Sequence, residues 1–132
     1  MIRIVGGLYK GRRINVPIGK NVKATSDKVR EAIFNILSSL LNWEEYTAID
    51  LYAGSGSLGM EALSRGAKKV IFVELAHKNI GTIKKNIEMI SPENNRVEVI
   101  KNRALRWIPN FFDHDHKCIA FLDPPFSSNE YD

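Results

Sequence analysis

The sequence predicts an α/β fold built on a parallel sheet, and three observations lead to it. From Thr47 onward, β-rich apolar runs alternate with runs of helical period, the pattern of strands joined by crossover helices. Gly54-Ser-Gly56-Ser-Leu-Gly59 has G-x-G-x-x-G spacing, after an apolar strand and before a helix. At 132 residues the chain suits one domain with its own core, although it is small for an enzyme on an open sheet.

The elements follow in order. Ile2, Ile4 and Val5 precede Lys10-Gly11, and Ile14 and Val16 follow it, which predicts a small basic hairpin over residues 2 to 16 closed by Pro17 and Gly19. Thr25, Ser26 and Asp27 are helix-start residues, and Val29, Ile33, Ile36, Leu37 and Leu40 recur at helical spacing. A helix packing that stripe on the main domain is expected there. Strands are expected at Ala48 to Tyr52, Lys69 to Glu74, Val97 to Lys101 and Cys118 to Leu122. Helices are expected from about Leu58 to Arg65, from Ala76 to Ile90, and near Ala104 to Phe111. Ala76, Ile80, Ile83, Ile87 and Ile90 form one apolar stripe, which Ser91-Pro92 ends. The chain thus divides into a hairpin and helix, residues 1 to 46, and a core, residues 47 to 132.

Composition is that of a soluble protein, at 44% hydrophobic and 26% charged, and no apolar run is long enough to cross a bilayer. The N-terminus lacks signal-peptide features, so a cytoplasmic or organelle-matrix location is expected. Cys118 is the only cysteine, which excludes an internal disulfide and a cysteine-based zinc site, and it reads as a buried strand residue. His114-Asp-His116 lies in a polar run and reads as a solvated loop, so no metal is expected. Residues 1 to 30 carry eight Lys or Arg against one acid, whereas residues 31 to 132 carry eleven against fourteen. A basic front beside a slightly acidic body is the electrostatic footprint of a phosphate-backbone partner.

Glycines in the turn allow close approach of a ligand to the backbone, and the following helix offers its N-terminal N–H groups. Glu74 lies twenty residues after Gly54, at a strand end, where a carboxylate can accept the hydroxyl protons of a ribose. Asp50, just ahead of the turn, would repel a pyrophosphate and attract a cationic amino-acid tail such as that of S-adenosylmethionine. Asp123-Pro-Pro-Phe126 combines a carboxylate, carbonyls held by two prolines, and an aromatic ring. Such acceptors suit an exocyclic base amine, with Phe126 stacking on a base taken out of its helix.

This order of motifs resembles the class I, S-adenosylmethionine-dependent amino methyltransferases. Arg3-Ile-Val-Gly-Gly7, Gly11-Arg-Arg13, and Thr25-Ser-Asp-Lys-Val-Arg-Glu31 with Phe34-Asn35 resemble the RsmD family, bacterial methyltransferases of small-subunit ribosomal RNA that modify a guanine N2. The resemblance implies a Rossmann-like core in which Asp50, Ala53, Gly54, Gly56 and Glu74 hold the cofactor. Asp123, Pro124 and Phe126 would hold the base. Arg3, Lys10, Arg12 and Arg13 would meet RNA, and the segment carrying Thr25 and Arg30 would line or cover the pocket. Where the family has Asp or Asn for the adenine amine, this chain has Asn102-Arg103-Ala104. Family members continue for roughly fifty residues more, so the C-terminal part of the sheet is expected to lie outside this chain.

The expected activity is methyl transfer from S-adenosylmethionine to a guanine N2 in 16S ribosomal RNA, leaving S-adenosylhomocysteine. The substrate is free RNA or an assembling small subunit, and the enzyme a monomer without metal or membrane partner. Alternatives are a DNA adenine-N6 or cytosine-N4 methyltransferase, a nicotinamide-dependent oxidoreductase and a non-catalytic RNA-binding fragment.

Overall fold

The computed structural model describes residues 1–16, 26–111 and 117–124. Strands Ile2–Arg3 (β1) and Arg13–Ile14 (β2) pair antiparallel, Ile2 opposite Ile14. The hairpin is shorter than its β-rich sequence suggests because the intervening backbone bonds elsewhere: Leu8 N–H donates to the Ser64 carbonyl at 2.8 Å and Tyr9 N–H to Ser64 Oγ at 2.9 Å.

Helix α1 spans Asp27–Leu40, with Ser26 Oγ accepting the Val29 N–H as its cap. Thr25, the first of the expected start residues, lies outside the described residues. The expected apolar stripe is not the packed one. Val29, Ile33, Ile36 and Leu40 are exposed, whereas Arg30 and Phe34 are buried and Leu37 is half-buried. Two contacts on one face set the rotation: Arg30 is drawn to Glu61, and Phe34 sits 5.6 Å from the Trp43 ring and 5.3 Å from Phe121.

After the 3₁₀ turn Trp43–Glu45 come β3 (Tyr46–Leu51), α2 (Ser57–Arg65), β4 (Lys69–Glu74), α3 (His77–Ile90), β5 (Val97–Lys101), α4 (Ala104–Phe111) and β6 (Lys117–Leu122). The four later strands form a parallel sheet in the order β5-β4-β3-β6, with Thr47 level with Lys69 on one side and Cys118 on the other. Because β3 and β4 are central, both of their faces are buried, as their near-continuous apolar sequences require. Ala48, Val70 and Phe72 face a core with Met60 and Ile83, while Ile49, Leu51, Ile71 and Val73 pack with Ala104, Trp107 and Ile108. Gly59 permits the first of these packings, since a Cβ there would stand 2.3 Å from Phe72 Cε1.

Cys118 is exposed, contrary to the buried position expected. Strand β6 is at the sheet edge: Ile119 and Phe121 pack on the core, but the face carrying Cys118, Ala120 and Leu122 is uncovered among the described residues.

Besides Ser64, a buried carboxylate ties the N-terminal elements to α2. Glu61 Oε1 accepts the Val5 N–H at 3.0 Å and Arg30 Nε at 3.4 Å, and Oε2 accepts Arg65 Nε at 3.1 Å. Arg30 also donates to the Arg3 carbonyl and to Asp27 Oδ1, and that bond holds the Asp27 carboxyl below its ordinary value. Glu61 and Arg30 are both almost wholly enclosed. Removing one member of such a pair strands the other charge, so Glu61→Leu should lower the urea-unfolding free energy by about 3–5 kcal/mol. Glu61→Gln, which keeps the acceptor, should cost less.

Candidate active site

The chain passes from β3 to β4 and β5 on one side and then crosses to β6 on the other, so the sheet has its switch point between β3 and β6. Crevices outside the carboxyl ends of strands at such a point are where open α/β sheets bind ligands. Asp50 near the end of β3, Glu74 at the end of β4 and Asp123 just past β6 all belong to this edge. Register makes Asp50 level with Phe72 and Phe121, so by strand alternation Asp50 and Glu74 share a face, with Asp123 in the same phase.

The glycine turn is held from several directions. Gly54 and Gly56 have φ of 59° and 81°, a region glycine enters without steric cost. Ala53 N–H donates to the Val73 carbonyl at 3.2 Å and Gly56 N–H to the Ala53 carbonyl at 2.8 Å. Tyr52 adopts φ 56° without being glycine, which ends β3 one residue before the expected boundary and is a conformation that persists only where surroundings enforce it. Among the described residues a Cβ placed on Gly54 would meet only the Tyr52 carbonyl, at 4.0 Å, so these residues leave open space beside the turn. A shallow cleft beside it is lined by Tyr52, Val73, Glu74, Leu75, Asn102 and Ala104.

Asp50 is buried, and Oδ2 accepts the Gly59 N–H at 2.9 Å, anchoring the first turn of α2. Burial pushes its carboxyl up to about 8; the Gly59 bond opposes this, and the charges of Asp123 and Glu74 add to it. Between the ordinary 3.8 and about 8 the folded chain therefore holds a proton that the unfolded chain has released, so ionising Asp50 costs stability as pH rises through that window. Glu74 is bonded differently. Its Oε1 accepts the Gly54 N–H at 2.9 Å, and Oε2 accepts those of Leu75 and Ala76 at 2.9 and 2.8 Å. A ribose hydroxyl can add at Oε1, but a second at Oε2 must displace a backbone donor.

Asn102 and Ala104 line the cleft, and Asn102 Oδ1 accepts the Arg103 N–H at 2.8 Å. Asp123 and Pro124 are exposed at the edge, while Phe126 lies outside the described residues. Arg3, Lys10, Arg12 and Arg13 are exposed on the hairpin. Arg30, on the segment expected to line or cover the pocket, is in the interior, where Glu61 and Asp27 draw its guanidinium inward. Glu61 was missed in the sequence, as was Asn86, although position 86 lies on the face of Ile83 and Ile90, where a polar residue signals a buried bond. Among the described residues no cluster of His, Cys, Asp and Glu could hold a metal, and no helix is long and apolar enough to cross a membrane.

Known proteins resemble this chain in sequence and in fold. The family described as Conserved hypothetical protein 95 matches residues 2–132. Ribosomal RNA small subunit methyltransferase D of Haemophilus influenzae is 39% identical over 128 residues, covering 97% of this chain and 65% of that protein. Its Escherichia coli namesake is 34% identical over 125 residues, covering 95% and 60%. A solved Haemophilus influenzae structure superposes with a TM-score of 0.75 at 38% identity, over 95% of this chain and 65% of that one. The chain thus spans 60–65% of the length of these relatives. Motifs, sheet order and similarity converge: the fold is that of the class I methyltransferases, and the chain belongs to the Conserved hypothetical protein 95 family, the RsmD family its N-terminal segment resembles.

Proposed function

We propose that this chain is the cofactor- and base-handling part of an enzyme that methylates a guanine N2 in small-subunit ribosomal RNA. The observation that carries the reading is the convergence of Asp50, Glu74 and Asp123 on one edge around the glycine turn. The residues present fit S-adenosylmethionine: open space at Gly54, a carboxylate for ribose at Glu74, and an acid at Asp50 for a cationic tail. The cofactor supplies an electrophilic methyl on a sulfonium.

The chain's own part is to position. Asp123 and the Pro124 carbonyl accept N–H bonds from the exocyclic amine, which orients it and keeps its lone pair free for the methyl carbon. Asp123 and the Pro124 carbonyl would hold the amine at the edge of the turn while one amine proton passes to solvent. The resemblance gives Phe126 the role of stacking on the base, and the exposed Lys10, Arg12 and Arg13 would hold flanking phosphates. The relatives' names support a ribosomal RNA substrate, and the acceptor array supports an amine.

Labelled methyl transfer to small-subunit RNA or subunits, followed by nucleoside digestion, should yield N2-methylguanosine; label only in adenine, cytosine or DNA would sink the guanine reading. Asp123→Ala should lower turnover at least ~100-fold while S-adenosylhomocysteine binding stays within about threefold. Replacing Lys10 and Arg13 together by Ala should weaken RNA binding across sequences and flatten the slope of log affinity against log salt by about 2. A cationic ligand tail must displace the Asp50 proton, so calorimetric affinity for S-adenosylhomocysteine should rise between pH 6 and 8, by up to about tenfold per unit, and Asp50→Asn should abolish that rise.

A further inference from the structure

Asn86 of α3 is wholly buried, and its amide is fully used. Oδ1 accepts the Asn15 N–H at 2.8 Å, and Nδ2 donates to the Asn15 carbonyl at 2.9 Å and to the Ser55 carbonyl at 3.1 Å. The side-chain amide thus holds both the N–H and the C=O of Asn15, which belong to successive peptide groups. Asn15 directly follows β2, two residues after Arg13, and Arg12 of the same hairpin donates to the Met89 carbonyl at 2.6 Å, one turn further along α3. Ser55 lies between Gly54 and Gly56. The carbonyl of Ser55 and the N–H of Gly56 belong to one peptide and point oppositely, so fixing the first on Asn86 aims the second at Ala53. The hairpin's anchors on Glu61 and Ser64 reach α2 beyond its first turn, whereas Asn86 reaches the turn itself.

We propose that Asn86 is a positioning residue that couples the basic hairpin to the glycine turn, so that RNA on the hairpin and cofactor at the turn tighten one another. This rests on the methyltransferase reading above and adds a linkage to it. Leaving Asn15 and Ser55 without their buried partner lets hairpin and turn settle independently, and linkage requires the coupling to be equal in both directions.

S-adenosylhomocysteine is titrated by calorimetry into the chain, alone and with saturating small-subunit RNA transcript. The unmutated chain should show affinities differing by about fivefold or more. Asn86→Ala should bring the ratio near one, with Asn86→Ser as a second variant of smaller structural cost, and Lys85→Ala on the exposed side of α3 should leave the ratio intact. A folded Asn86→Ser with the original ratio overturns the proposal. So does a variant in which cofactor affinity and melting temperature fall while the ratio stays, because the amide is then only a fold element. A ratio of one in the unmutated chain also overturns it. Failure of that chain to bind either ligand overturns the methyltransferase reading and this inference with it.

Discussion

The buried carboxylate of Glu61 is the constraint on which the arrangement of this molecule depends. Two guanidiniums and one backbone N–H from three separate segments end on its two oxygens. Buried charge is tolerated only when paired and hydrogen-bonded, so each partner has essentially one place to be. Arg30 must point inward, which turns α1 until Phe34 meets Trp43 and Phe121, and Val5 must run along α2, which sets the hairpin beside α3. Hydrophobic burial favours compactness here, while the ion network selects which compact arrangement is adopted.

The functional edge uses carboxylates in a related way but for opposite ends. Asp50 and Glu74 spend acceptor capacity on the N–H groups of Gly59, Gly54, Leu75 and Ala76, and so shape the turns before any ligand arrives. Burial, with a smaller addition from the charges of Asp123 and Glu74, keeps the proton on Asp50 near neutrality. Preorganisation of this kind means a ligand replaces existing bonds and charges at the site.

The strands, the glycine turn and the three acids were legible because period-2 and period-3.6 patterns and glycine spacing are local signals. The α1 packing face was not. Its sequence holds an aliphatic stripe and, one step round the helix, Arg30-Phe34-Leu37, and periodicity alone cannot rank the two. The ranking depends on Glu61 and Trp43, which no window around residue 34 contains. The burial of Arg30 was hidden for the same reason, since an arginine on a basic segment declares its burial only through a distant partner. Cys118 went the other way: an apolar run identifies a strand, but only sheet order places it at an edge.

The sheet order also has a kinetic meaning. In the β3–β4 pairing Thr47 meets Lys69, 22 residues on, whereas in β3–β6 it meets Cys118, 71 residues on. Closing the longer loop costs about 1 kcal/mol more in chain entropy, before any of its contacts form. The glycine turn between β3 and β4 is therefore assembled from near neighbours, and Asp123 is reached through the most distant strand pairing in the sheet. By chain entropy alone the β3–β4 side of the sheet closes more cheaply than the β3–β6 side, a difference that follows from strand order.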